Sequence, residues 1–117
     1  MGKTQNAEIS KSKEHYEVIF KTKEGKFSSF YIQNTATDND DGFLALKKAV
    51  FTLFKNPNKK DYLLQFLEDS VFLVYKDSKV KMEVWKGHDS DRREASLWLS
   101  YKAYLKLFGL VPQKNNF

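Results

Sequence analysis

The hydrophobic period of this chain switches from two to about 3.6, and it does so twice. Tyr16, Val18 and Phe20 alternate with Glu17, Ile19 and Lys21, the pattern of a strand with one buried face. Phe43, Leu46, Val50, Leu53 and Phe54 then recur at helical spacing. The same change follows in the second half, where Val80, Met82 and Val84 alternate before Leu97, Tyr101, Tyr104, Leu105 and Phe108 form a helical stripe. Such a chain buries both kinds of apolar face only by laying helices on a sheet.

Turn chemistry divides these segments. Gly25, in Lys23-Glu24-Gly25-Lys26, supplies the positive φ of a tight hairpin, and Phe27 to Gln33 reads as the returning strand. Asp77-Ser78 supplies the turn of a second hairpin over Ser70 to Gly87. Asp38, Asp40 and Asp41 are placed to cap the first helix, and Asn56-Pro57 ends it. Asp91 with Glu94 has capping-box spacing and predicts the start of the last helix, with Gly109 at its C′ position and Pro112 beyond. Between them, Leu63, Phe66 and Leu67 fit one face of a short helix over 61–69, although so short a run also suits a strand.

The expectation is therefore an α+β fold: a small antiparallel sheet from two β-hairpins, two main helices on one face, in the order ββα-(α)-ββα. Residues 14–110 form the single domain of a 117-residue chain. Residues 1–13, whose only apolar members beyond Met1 are Ala7 and Ile9, read as a flexible tail, and 111–117 as a C-terminal tail. Lys48-Ala49 and Leu53-Phe54 reappear 54 residues later as Lys102-Ala103 and Leu107-Phe108, a faint likeness between the two halves.

Several function classes are excluded or left without support. Cysteine is absent, which removes disulfides, zinc ribbons, iron–sulfur clusters and thiol catalysis and favours a cytoplasmic, intracellular setting. No uncharged run in the C-terminal half is longer than Ala95 to Tyr101, about a third of a membrane span, and Met1 to Lys13 lacks the apolar core of a signal peptide. His88-Asp89-Ser90-Asp91 and the Asp38/Asp40/Asp41 group are explained by helix capping, and neither has the glycine and distal glutamate of a calcium loop. Gly2, Gly25, Gly42, Gly87 and Gly109 are too far apart for a phosphate-binding loop. Asp77, Glu83 and Lys86 miss the nuclease pattern, because Glu-x-x-Lys puts the pair on opposite faces of a strand. No catalytic residue, metal or cofactor is expected, and the chain reads as non-enzymatic.

Charge and aromatic content point elsewhere. Twenty Lys and Arg against 15 Asp and Glu give +5, and residues 95–117 carry no acid. Lys102 and Lys106, four apart, share a helix face. If Val80, Met82 and Val84 face inward, Lys79, Lys81, Glu83 and Trp85 face outward, as does Lys21 in the first hairpin. With 15% aromatic residues, this predicts a basic, base-stacking sheet face for nucleic acid, single-stranded DNA or RNA in preference to duplex, formed by Lys21, Lys79, Lys81 and Trp85 with backbone contacts from Lys102 and Lys106. The alternative is a protein–protein interaction module or inhibitor, an accessory protein of phage or mobile-element type acting as a homodimer, with Trp85 as the interface anchor.

Overall fold

The structure, a computed structural model, describes residues 2–33, 42–56, 58–66, 69–87 and 93–110. Strands β1 (Gly2–Lys3), β2 (Ala7–Lys11), β3 (His15–Lys21) and β4 (Phe27–Gln33) form an antiparallel meander in sequence order. Ile9 lies opposite Val18, and Val18 opposite Phe30, so one inward row runs across three strands. The expected hairpin is present, but the N-terminal segment is not a tail. Ala7 and Ile9 alternate into the core at 4% and 2% exposure, and the turn before them is held by Thr4, whose Oγ1 accepts from the Asn6 and Ala7 amides. Two apolar positions were too few to reveal a period of two.

Helix α1 (Gly42–Lys55) follows the predicted stripe, with Phe43, Leu46, Val50 and Leu53 buried. Its first residue must be small, because a Cβ on Gly42 would meet Ile32 Cγ2 at 2.8 Å and the Phe66 ring at 3.2 Å. The acids at 38, 40 and 41, and Pro57, lie outside the described residues.

The second half holds β5 (Asp61–Phe66), β6 (Asp69–Lys76), β7 (Lys79–Trp85), β8 (Arg93–Ala95) and β9 (Leu99–Ser100). These make a second antiparallel sheet in the order β5-β6-β7-β8, with β9 also paired to β7. The architecture is thus α+β with two sheets of four and five strands, not one sheet from two hairpins. The segment preferred as a short helix is the edge strand β5. Tyr62, Leu64 and Phe66 turn towards the core, and Leu63 turns outward with 66% exposure. Counting Tyr62 among the apolar residues exposes this alternation, which the Leu63/Phe66 spacing hides. The first half runs through four strands to a helix and the second through five, so the sequence likeness at an offset of 54 coincides with a similar element order that is not an exact repeat.

The last helix is shorter than its stripe. Glu94, expected in its first turn, lies in β8, and Asp91 is outside the described residues. Helix α2 (Tyr101–Leu107) starts only after Ser100, whose hydroxyl accepts from the Ala103 amide at 3.2 Å. It ends as predicted on Gly109, φ +71°, with Gly109 donating to the Lys106 carbonyl and Leu110 to the Leu105 carbonyl, the paired bonds of a Schellman motif.

One core joins both helices and every strand except the short β1 and β8. Phe30 of the first sheet stacks on Phe66 of the second at 5.9 Å, and Phe51 and Phe54 of α1 pack edge-on against Tyr101 of α2. The sheets meet at a corner where Thr22 bridges to Ser96, the Leu97 amide donates to the Lys21 carbonyl at 3.2 Å, and Ser28 hydrogen-bonds Glu94. No helix among the described residues is long and apolar enough to cross a membrane.

The β6–β7 turn stores removable strain. Asp77 and Ser78 both hold positive φ, 52° and 67°, the geometry of a two-residue type I′ turn that favours Asn-Gly. Ser78→Gly is expected to raise stability by about 0.5–1 kcal/mol, read as a higher urea midpoint at unchanged slope. A lower midpoint would show that the left-handed serine costs nothing here.

Candidate functional site

Lys79, Lys81, Glu83 and Trp85 of β7 do share the outward face, since Val80, Met82 and Val84 are buried. Cross-strand pairing sets their neighbours. Lys81 stands opposite Val74, Glu83 lies between Phe72 and Ala95, and Trp85 lies between Ser70 and Arg93. Glu83 is shared by two cations, with Lys81 at 3.0 Å and Arg93 at 3.9 Å. Each cation also faces a ring: Lys81 Nζ is 4.8 Å from the Trp98 centroid, and the Arg93 guanidinium is 5.5 Å from that of Trp85.

Beside this row, at the corner between the sheets, is an open groove of about 840 Å³. Its cations are Lys23, Lys26, Lys81 and Arg93, its acids Glu24 and Glu94, and its aromatic walls Phe27 and Trp98. Four positive groups against two negative ones leave it net positive, and Glu94 is engaged by Ser28. The hairpin turn at Gly25, φ +87°, swings Lys23 and Lys26 towards the corner, while the break between β8 and β9 brings Trp98 to the surface. That break is anchored by Ser96, whose amide donates to the Met82 carbonyl and whose hydroxyl accepts from the Met82 amide.

The six residues expected to form the site divide. Lys81 lines the groove, and Lys79 lies next to it with Trp98, lining a smaller depression. Lys21 reaches the corner through its carbonyl, while its half-buried side chain lies opposite Phe27. Trp85 lines a different, mostly apolar depression of about 350 Å³ with Leu63, Ser70 and Phe72. Lys102 and Lys106 are exposed on α2, which packs against the inner side of β7 through the Tyr104 hydroxyl and Val80 carbonyl, 3.0 Å apart. They do not join the outward row. Lys86, weighed with Glu83 as a nuclease pair, instead donates to the Ser29 carbonyl and lies 3.9 Å from Asp69.

Sequence reasoning missed Trp98, Lys26 and Arg93, whereas Phe27, with Tyr31, is readable from the sequence as a candidate aromatic of the stacking face. The exposed pair Phe27 and Trp98 had a readable signal, since each is a large ring next to a turn or a break in pattern. On the first sheet, Glu17 stands opposite Tyr31 and raises its phenol pKa above the ordinary value, chiefly by its charge and then by a hydrogen bond. Among the described residues, no three His, Asp or Glu side chains come together as a metal site, and the clusters at 38–41 and 88–91 lie outside them. Comparison with protein-family models, with curated proteins and with solved structures found no match to this chain.

Proposed function

We propose that this protein binds single-stranded nucleic acid in the corner groove, without catalysing a reaction on it. The observation that carries the reading is the pairing of Lys81 with the exposed Trp98 ring inside a net-positive groove. Cations held beside open rings suit a phosphate backbone with unpaired bases: the cations take the phosphates and the rings take base faces. Lys81 and Lys79 keep the roles expected of them. Trp98 and Phe27 take over stacking from Trp85, and Lys102 and Lys106 contribute only general positive charge.

A second reading has its own support. Leu63, Phe72 and Trp85 form an apolar depression on the outer face of the second sheet, a composition suited to a protein partner or a second copy of the chain. One titration separates the two. Labelled single-stranded and duplex oligonucleotides are followed by fluorescence anisotropy at two salt concentrations. Single strands are expected to bind more tightly than duplex, and affinity to fall by about tenfold or more between roughly 50 and 200 mM salt, because neutralised phosphates release counterions. Absence of binding at the lower salt would overturn the nucleic-acid reading and leave the apolar face as the working surface.

A further inference from the structure

We infer that the ligand occupies not one groove but a track of three adjoining depressions, and is therefore an extended strand of several nucleotides. The inference rests on the nucleic-acid reading above. The main groove shares its Phe27 wall with a second depression of about 170 Å³ on the first sheet, which also holds Lys3 and Ile19. It shares its Trp98 wall with a third, of about 240 Å³, which holds Lys76 and Lys79. Phe27 and Trp98 are thus partitions between neighbouring compartments, 67% and 37% exposed.

This arrangement selects a ligand by shape and charge. Every compartment has at least one lysine, so positive charge recurs along the path instead of gathering at one point. A recurring charge matches a polymer backbone and is wasted on a mononucleotide. The two partitions offer ring faces to bases, which a duplex keeps stacked and paired. Acids interrupt the track at Glu8, Glu24, Glu94 and Asp77, which weakens attraction for anions that lack bases to stack. The path runs from β1 and the β3–β4 turn, across the corner, to the β6–β7 turn, and so uses both sheets.

The test is a length series. Oligo-dT and oligo-U of about two, four, eight and twelve nucleotides are titrated against the full chain and against Phe27→Ala and Trp98→Ala, with circular dichroism to show that each variant stays folded. Affinity is expected to rise by about a hundredfold from the dinucleotide to the octamer and then flatten, as successive bases reach the two walls. Each variant is expected to lose about tenfold for the octamer while changing the dinucleotide by less than about threefold. Comparison of oligo-dT with oligo-U tells whether the strand is DNA or RNA. Equal affinity for all lengths, or octamer binding unaffected by both variants, would overturn the track and leave a single-groove site standing. No binding of any oligonucleotide at low salt would overturn the track together with the reading beneath it.

Discussion

Replacing Lys81 and Arg93 together by glutamate is expected to abolish measurable single-strand binding, a loss of more than about 100-fold at low salt. Both side chains line the groove; Lys81 lies 4.8 Å from the exposed Trp98 ring, and Arg93 lies 5.5 Å from the half-buried Trp85 ring. Reversing both turns a groove of four cations and two acids into one of two cations and four acids. Each lost charge-assisted contact is worth about 1.5–3 kcal/mol, so two losses alone reach that factor before repulsion is added. Stability is expected to fall as well, because the largely buried Glu83 carboxylate loses both its cations and gains two like charges beside it, so a urea midpoint and circular dichroism must show that the double variant is folded under the binding conditions. The same reversal at Lys102 and Lys106 is the control. These residues sit on α2, away from the row, and their reversal is expected to weaken binding by no more than about threefold through general charge. A Lys81/Arg93 variant that binds like the parent would remove the groove as the site, and equal losses from the two pairs would reduce the effect to net charge.

What the sequence disclosed and what it concealed follow from the range of the forces involved. Local chemistry was legible. The β3–β4 and β6–β7 hairpins, the α1 stripe and the Gly109 terminator all depend on residues within a few positions of one another, and all are present. The errors lie where a partner distant in sequence decides. Ala7 and Ile9 become a strand because β3 offers Phe20 and Val18 opposite them. Residues 61–66 become a strand because β6 offers Val71 and Leu73. The stripe from Leu97 to Phe108 is interrupted because Ser96 is tied to Met82 and Thr22, which holds residues up to Ser100 on β7. The candidate site shows the same division. Period two along β7 placed Lys79, Lys81 and Trp85 on one face, but the corner that adds Phe27, Lys26 and Trp98 exists only once two sheets meet, and one sheet was expected.

Tyr104→Ala is expected to cost about 3–5 kcal/mol, enough to unfold a domain of ordinary stability at elevated temperature. Tyr104 is among the largest fully buried side chains, at 1% exposure, and packs between Phe54 and Phe108. Its hydroxyl donates to the Val80 carbonyl at 3.0 Å, so α2 is tied to the strand that carries Lys81 on its other face. Tyr104→Phe keeps the ring and removes only that bond, with an expected cost of about 1–3 kcal/mol for the buried carbonyl left without this donor. The two variants separate ring packing from hydrogen bonding. Burial also pushes the phenol pKa up, so folding favours the neutral form. The unfolded tyrosine titrates near 10, and the folded one well above it. Between those values the folded state holds a proton that the unfolded state has released. The stabilisation is therefore fully present below about pH 10 and is lost as pH rises further. Urea midpoints measured at about pH 8 and pH 11 are expected to fall more steeply for the parent than for Tyr104→Phe, which has no proton to lose. Lysine titration affects both proteins alike and cancels in the comparison. Equal falls would mean that Tyr104 ionises as readily in the folded chain as in the unfolded one, and that its hydroxyl is not held against Val80 in a dry core.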